Sequence, residues 1–137
     1  MKKKRRSNCP ISMSLEVWGD RWTLLIIRDL MFEGKRTYGD FLRSDEKIAT
    51  NSLADRLKKL VDDGIVEQLD VADTKSGSAY RLTERGIDLL PILTEVFLWA
   101  DKHLELTEDL RTRIGAIKQD KPAFIEGVAQ SLRRKDE

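Results

Sequence analysis

One stretch of the chain is apolar around nearly its whole helical circumference. It lies between Asp20, a good helix N-cap, and Gly34, a residue type that often follows a helix end. Its apolar side chains are Trp22, Leu24, Leu25, Ile26, Ile27, Leu30, Met31 and Phe32. A helix of this kind must be buried on most sides. We therefore expect residues 21–32 to form the central helix of a small domain.

The composition is that of an ordinary folded domain. The chain has 137 residues, of which 40% are hydrophobic and 36% charged. Its longest unbroken aliphatic run, residues 24–27, is far shorter than the roughly 20 apolar residues of a membrane span. The basic start is followed by polar residues and not by the apolar stretch of a signal peptide. We expect a cytoplasmic protein without a membrane segment.

The segments that flank the central helix predict three more helices. Pro10 fits the first turn of a helix that ends at Gly19. Thr37 is expected to cap a short helix that reaches about residue 42, and a fourth helix is predicted over residues 50–63, ended by a glycine.

The pattern then changes from helical spacing to alternation. Residues 65–71 and 79–82 alternate as strands do, and residues 73–78 between them are turn formers. Thr83 is predicted to cap a further helix, in which Pro91 is expected to produce a kink or a break. This order predicts a mainly α fold with a small β-hairpin (α+β), namely a winged helix-turn-helix with additional terminal helices.

The side chains that catalysis most often uses are scarce. A single Cys and a single His exclude an internal disulfide and the usual four-ligand zinc site. A nucleophilic pair would have to join Cys9 to His103, and no family-type context surrounds either residue. The chain also has no phosphate-binding or nucleophile-elbow motif. We expect no enzyme activity, no metal and no cofactor.

The net charge of +1 conceals an uneven distribution. Residues 1–8 carry five basic and no acidic side chains, and residues 35–60 carry seven basic against four acidic. Residues 61–73 then carry five acids and no base. Two positive segments are typical of nucleic-acid binding, although a solvated mixed-charge surface would give the same numbers.

The predicted fourth helix has the pattern of a DNA recognition helix. Its apolar residues 53, 57, 60 and 61 share one face, and polar residues occupy the rest. A recognition helix needs short hydrogen-bonding residues near its N-terminus and basic residues for phosphates. We expect Asn51, Ser52 and Arg56 to discriminate bases, although Thr-Asn-Ser is also ordinary capping chemistry. The full set of predicted DNA contacts on this helix is Thr50, Asn51, Ser52, Asp55, Arg56, Lys58 and Lys59.

Three further segments are predicted to touch DNA. Arg36 and Thr37 precede the third helix, where their donors are expected to hold a phosphate. Lys75 and Ser76 lie at the predicted tip of the hairpin and are expected to reach the backbone or minor groove. The basic arm, residues 1–8, is either an electrostatic contact to the duplex or a solubilising tail.

The helix that begins near Pro91 has a wider apolar stripe than one side of a small domain needs. Its apolar positions are Ile92, Leu93, Val96, Phe97, Trp99, Ala100 and Leu104, with His103 on the flank. We expect a homodimer through the terminal helices; the alternative is a helix covered by its own chain. The predicted divisions are the arm 1–8, a winged-helix domain 9–104 and a C-terminal helical extension 105–137 that supports the dimer.

Several motifs, in the correct order, resemble those of HxlR-type transcriptional regulators, which belong to the MarR-like winged-helix group. The segments that carry this resemblance are Cys9-Pro10-Ile11, Gly19-Asp20-Arg21-Trp22-Thr23-Leu24-Leu25-Ile26-Ile27-Arg28-Asp29-Leu30, Leu53-x-x-Arg56-Leu57-x-x-Leu60, Gly64-Ile65-Val66, Tyr80-x-Leu82-Thr83-Glu84-x-Gly86 and Leu90-Pro91-Ile92-Leu93. The resemblance implies a dimeric bacterial DNA-binding regulator that is most often a repressor. The segment from about residue 105 lies outside it.

Cys9 precedes Pro10 at a predicted helix start and follows five basic residues. A helix N-terminus and nearby cations both favour the thiolate and lower the pKa of a thiol. In some HxlR-type proteins a cysteine at the matching position senses oxidants, quinones or aldehydes. The resemblance therefore implies a redox or electrophile sensor, which would act through a Cys9–Cys9 bond across the dimer, a mixed disulfide or alkylation. The alternative is a small interface residue without a sensing role.

These observations together predict a homodimeric regulator that binds double-stranded DNA. Two-fold symmetry predicts a pseudo-palindromic operator with half-sites roughly one helical turn apart, or a multiple of it. The alternative from another class is a winged-helix protein–protein interaction module without specific DNA binding. No polar cluster in the sequence indicates a small-molecule effector.

Overall fold

The structure is a computed structural model that describes residues 7–70 and 78–134. Within those ranges it contains eight helices and one two-stranded sheet, in the predicted order. The helices are α1 (Pro10–Trp18), α2 (Arg21–Phe32), α3 (Tyr38–Leu42), α4 (Thr50–Asp62), α5 (Glu84–Ile87), α6 (Leu90–His103), α7 (Glu108–Gln119) and α8 (Lys121–Arg134), and the strands are β1 (Val66–Asp70) and β2 (Ser78–Leu82).

Packing divides the chain into two compact units, residues 1–83 and 84–137. The first holds α1 to α4 and the sheet, and the second holds α5 to α8. The predicted boundary after residue 104 followed the extent of the sequence motifs. It falls inside the second unit, because α7 and α8 pack against α6.

The helix ends follow their local signals. Pro10 lies in the first turn of α1, which ends at Gly19. The Asp20 carboxylate caps α2 by accepting hydrogen bonds from the backbone N–H groups of Trp22 and Thr23, at 2.9 and 3.3 Å. Gly34, just past the end of α2, has a φ of 67°, which a residue without a Cβ adopts easily. These predicted ends are confirmed.

Helix α2 lies at the centre of the first unit, as predicted. Among its twelve residues only Arg21 is exposed, and its most buried apolar side chains are Ile26, Ile27, Leu30 and Met31. Helix α4 packs against it with Leu53, Leu57 and Leu60, each 2% exposed or less. The predicted apolar face of α4 is therefore the face that is buried, except that Val61 is only half-buried.

A buried carboxylate fixes the loop between α3 and α4. Asp29 is 2% exposed and accepts a hydrogen bond from the Ser44 hydroxyl at 2.5 Å and one from the Arg28 guanidinium at 2.7 Å. Arg28 also donates two hydrogen bonds to Glu46, which lowers the pKa of that carboxyl to about 2. Lys35 donates to the Ser44 hydroxyl at 2.8 Å. The loop that leads into α4 is thus bound to α2 through charged hydrogen bonds.

The two strands form an antiparallel hairpin whose register pairs Val66 with Leu82. An isolated bridge joins Thr37 to Ala79, and the Tyr80 N–H donates to the Arg36 carbonyl at 2.8 Å. The segment before α3 therefore lies along β2, which places the start of α3 beside the hairpin.

The second unit is a set of helices packed on α6. Pro91 lies in the first turn of α6, after α5 has ended at Ile87, so the predicted break is confirmed. Buried residues of α7 and α8 are Ile114, Ile117, Ala129 and Leu132. Ion pairs reinforce the packing: Lys118 pairs with Asp101, Lys121 with Glu95 at 2.5 Å, and Arg133 with Glu84 at 2.7 Å. Over the described ranges, no helix combines the length and the apolar character that crossing a bilayer requires.

The Asp29 contacts predict a stability effect. Asp29→Ala removes the acceptor of a buried hydroxyl and of a guanidinium, so we expect it to lower the free energy of unfolding by about 2–3 kcal/mol. Urea unfolding followed by circular dichroism measures this. The control is Asp45→Ala at an exposed position of the same loop, which we expect to change stability by less than about 0.5 kcal/mol. Equal effects of the two variants would contradict a special role for Asp29.

Candidate nucleic-acid interface

The solvent-facing side of α4 carries five of the seven DNA contacts predicted on this helix. Thr50, Asn51, Asp55 and Lys58 are exposed, and Ser52 is half-buried. We call these five residues the α4 outer face. Asn51, Asp55 and Lys58 lie opposite the buried leucines, and Thr50 and Ser52 lie at the flanks near the start of the helix. Their short polar side chains stand in the first two turns of the helix, with Lys58 one turn further on.

The start of α4 is not capped by a side chain. The N-cap position is Ala49, so none of Thr50, Asn51 and Ser52 occupies it. The Asn51 amide oxygen does accept a hydrogen bond from the Ser52 N–H at 3.0 Å. None of the three is the N-cap residue, although Asn51 accepts from an N–H group of the first turn, so part of the capping alternative remains.

Arg56 points toward the protein and not toward solvent. Its guanidinium donates hydrogen bonds to both carboxylate oxygens of Asp20, at 2.9 and 3.1 Å, and a third to Asp55. This contact lowers the pKa of Asp20 and raises that of Arg56. The Arg56 side chain is 28% exposed. We had expected it to contact bases, whereas in the structure it joins α4 to the first residue before α2.

Lys59 is also held by the protein. Its ammonium group donates to the carbonyl oxygens of Glu16 and Val17, at 2.8 and 3.1 Å, and to the Asp63 carboxylate at 2.9 Å. The neighbouring Lys58 differs, because its side chain is 81% exposed and its nearest carboxylate, that of Asp62, lies 3.9 Å away. Of the three cations predicted on α4, only Lys58 extends into solvent.

The backbone N–H groups at the start of α3 already have a hydrogen-bond acceptor, the Asp40 carboxylate. The backbone N–H groups of Arg36 and Thr37 both donate to Asp40 at 3.1 Å, and Thr37 caps the helix by accepting from the Asp40 N–H. The carboxylate thus occupies the backbone donors that we expected to hold a phosphate. A phosphate contact by Arg36 would have to use its guanidinium.

Tyr38 is a positioning residue that the sequence did not indicate. Its hydroxyl donates to the Thr50 carbonyl at 2.7 Å, which links the start of α3 to the start of α4. It also lines a surface groove of about 310 Å³ together with Lys58, Gln68 and Tyr80. An aromatic residue one position after a predicted N-cap gives no sign of such a contact, because its partner lies 12 residues away.

The remaining predicted contacts lie outside the described residues. They are Lys75 and Ser76, predicted at the hairpin tip, and the arm residues Lys2 to Arg6. The part of the hairpin that the structure describes is held by an ion pair between Arg81 and Glu67, at 3.0 Å.

Cys9 lies at the N-cap position of α1 and is exposed. The backbone N–H groups of Ser12 and Ile11, at the first turn of the helix, lower the pKa of its thiol. The predicted direction of this shift is confirmed. Across residues 7–70 and 78–134, no group of three or more His, Cys, Asp or Glu side chains is arranged to hold a metal ion.

Comparison with known proteins decides the family. The model of the HxlR-like helix-turn-helix family matches residues 17–108. The chain belongs to this family. The resemblance noted in the sequence motifs is therefore confirmed, and the family is one of helix-turn-helix transcriptional regulators and not of enzymes.

Curated relatives of this HxlR-like chain carry regulator names. An uncharacterized HTH-type transcriptional regulator of Mycobacterium tuberculosis, Rv3095, is 35% identical over 72% of the chain. The matched part is 61% of the length of that relative, so the chain spans about three fifths of it. The HTH-type transcriptional regulator YodB of Bacillus subtilis is 34% identical over 71% of this chain and 87% of its own.

Solved structures share the fold. The reduced form of YodB from Bacillus subtilis superposes with a TM-score of 0.59 at 34% identity, covering 72% of this chain and 97% of YodB. The redox regulator HypR in its oxidized form gives a TM-score of 0.63 at 28% identity, covering 72% of this chain and all of HypR. The predicted winged helix-turn-helix fold is confirmed.

The lowered pKa of Cys9 predicts a reactive thiol. We expect its rate of alkylation by iodoacetamide to rise with pH at a lower midpoint in the folded protein than in urea. The reason is that the ordered N–H groups of Ser12 and Ile11 stabilise the thiolate only in the folded state. Because this is the only Cys in the chain, the unfolded protein is a matched control. Coincident pH profiles would contradict the prediction.

Proposed function

We propose that this chain is a cytoplasmic, sequence-specific DNA-binding regulator that acts as a homodimer, and that it represses transcription. The observation that carries the proposal is the α4 outer face, which presents short polar side chains and one extended lysine from a helix whose opposite side is buried. An α-helix of this form fits the major groove of B-DNA. Family membership and regulator-named relatives support the same function.

The residues of the α4 outer face divide by chemistry. Asn51 offers an amide that can pair with adenine, and Ser52 a hydroxyl that can pair with several bases. Asp55 offers an acceptor for the amino group of cytosine. Thr50 and Lys58 are suited to phosphates, Lys58 because its charge lies in solvent. Asn51 and Ser52 therefore carry the discrimination between sequences in this proposal.

Asn51→Ala tests the proposed base contact. We expect it to weaken binding to the operator about tenfold per half-site, since a good amide–adenine pair is worth about 1–3 kcal/mol, and to leave binding to a scrambled duplex nearly unchanged. Fluorescence anisotropy against duplexes tiling the region upstream of the gene identifies the operator and measures both affinities. Gln68→Ala, on the exposed side of β1, is the control.

The wild-type titration also tests the proposed function itself. Tight, salt-sensitive binding to one tile with a large margin over the scrambled duplex supports a sequence-specific regulator. Equally weak binding to every duplex would argue against it and would favour a protein–protein interaction module.

Exposed apolar side chains support the proposed dimer. On α6, Ile92, Val96 and Trp99 are 38%, 53% and 59% exposed, and the Trp99 ring lies 4.9 Å from that of His103. On α1, Ile11 and Leu15 are 71% and 50% exposed. Each set follows helical spacing, which makes a stripe and not a scatter of single residues. Within the described ranges, α7 and α8 pack on α6 and leave the apolar side chains of its stripe exposed, which favours a second copy of the chain as their cover.

Val96→Glu tests the dimer. A carboxylate in the centre of an apolar interface is costly to bury, so we expect a monomer by sedimentation and a loss of operator affinity without loss of helix content. Gln119→Glu places the same charge on an exposed position of α7 and should leave the dimer intact. A Val96→Glu protein that stays dimeric would show that the α6 stripe is not the interface.

Cys9 supplies a means of regulation in this proposal. Its exposed thiol and lowered pKa suit addition to an electrophile such as a quinone, in which the sulfur bonds to a ring carbon, the carbon–carbon π bond breaks and the adduct takes up the proton that the thiol lost. With an oxidant, two Cys9 thiols of a dimer would lose two protons and two electrons and form one disulfide. The similarity to HypR, described as a redox regulator, supports this assignment.

A further inference from the structure

The three cations predicted on α4 lie in two different environments. Lys58 is 81% exposed, whereas Arg56 and Lys59 are 28% and 33% exposed and donate hydrogen bonds to acceptors of this chain. Neither of the two inward cations can touch a phosphate or a base without first leaving acceptors that it already holds. Their contacts instead determine where α4 lies relative to α1 and α2.

The contact between Arg56 and Asp20 joins two helices through one carboxylate. Asp20 accepts hydrogen bonds from the first N–H groups of α2 and, with the same side chain, from the guanidinium of Arg56. A guanidinium that binds both carboxylate oxygens has a defined direction as well as a defined distance. The middle of α4 is thus fixed to the first turn of α2.

Lys59 joins α4 to the end of α1, just before the link to α2. It donates to the Glu16 and Val17 carbonyls, which belong to the last turn of α1 and have no partner within a helix that ends at Trp18. A cation at a helix C-terminus is also favoured by the helix dipole. The Asp63 carboxylate, just past the end of α4, accepts from the same ammonium group.

We propose that Arg56 and Lys59 are positioning residues that fix the recognition helix to the junction of α1 and α2, and that they do not contact DNA. The proposal rests on the DNA-binding function proposed above. It has a regulatory consequence, because α1 also carries Cys9 and the exposed Ile11 and Leu15. A change in the position of α1 would be passed to α4 through Lys59.

Asp20→Asn shows whether Arg56 positions α4 or contacts DNA, because the two roles change operator affinity in opposite directions. Asn is as good an N-cap as Asp, so α2 keeps its cap while Arg56 loses one of its two charged partners and keeps Asp55. If Arg56 contacted DNA, removing the Asp20 charge would release it from α2 and strengthen binding. If Arg56 positions α4, Asp20→Asn weakens operator binding, by about three- to fivefold per protomer for a partly exposed ion pair. Measurement of operator affinity by anisotropy distinguishes the two.

Lys58→Met and Lys59→Met form a matched pair of adjacent substitutions. The logarithm of DNA affinity falls with the logarithm of salt concentration by about 0.9 for each phosphate contact. We expect Lys58→Met to reduce this slope by about 1.8 in the dimer and Lys59→Met to leave it unchanged while lowering affinity for the operator. An equal reduction of the slope by both substitutions would overturn the proposal, as would tighter operator binding by Asp20→Asn.

A measurement without DNA keeps this proposal separate from the proposed function. Lys59→Met removes the donor to the last turn of α1, so hydrogen–deuterium exchange should speed up in the peptide that covers residues 16–20, and Lys58→Met should not change it. Unchanged exchange in both variants would overturn the coupling even if the wild-type protein binds its operator. Faster exchange in Lys59→Met, combined with no operator preference in the wild-type protein, would support the coupling and refute DNA recognition.

Discussion

The first unit depends on the burial of α2. A helix with apolar side chains on almost every side is stable in water only when other elements surround it. The leucines of α4 and the strand β2 supply part of this cover, and α4 is fixed in rotation because only one of its faces is apolar. The outward direction of Asn51 and Asp55 is therefore a consequence of core packing, since the buried leucines hold the opposite face of α4 against the core.

Charged hydrogen bonds add a fixed direction and distance, which apolar packing does not supply. Hydrophobic contacts are not directional, so a helix packed by leucines alone can slide or rotate slightly at little cost. Hydrogen bonds form only over a narrow range of distance and angle. Two of them act here: Ser44 donates to the Asp29 carboxylate, and Arg56 donates to the Asp20 carboxylate. Together they fix the position of the loop before α4 and of the middle of α4. A fixed position matters for a helix that must match hydrogen-bond donors and acceptors on base edges.

The helix ends and the fold were predictable because each depends on residues close in sequence. Asp20 caps the helix that follows it directly, Gly34 ends that helix, and Pro91 is best tolerated in a first helical turn. The alternation of apolar and polar residues after residue 65 predicted the hairpin for the same reason. The family motifs added the function, which neither charge nor periodicity could supply.

The directions of long cationic side chains were not predictable in the same way. A helical wheel places Arg56 and Lys59 on the border between the buried and exposed faces of α4, and a flexible side chain at that border can turn either way. What decides the direction is the partner, and the partners lie 36 residues away for Arg56 and 43 residues away for Lys59. All three α4 cations are therefore predicted to contact DNA, because the sequence does not show which distant acceptors lie near them in the fold.

The buried Asp29 has a consequence for how this chain can diverge. Its carboxylate is surrounded by donors from Arg28, Ser44 and Lys35, so changing any one residue alone leaves a polar group without its partner or a charge without its counterpart. Evolution can replace this cluster more easily by several linked changes than by one. Positions 28, 29, 35 and 44 should therefore covary among relatives, while the exposed positions of α4 remain free to follow the operator.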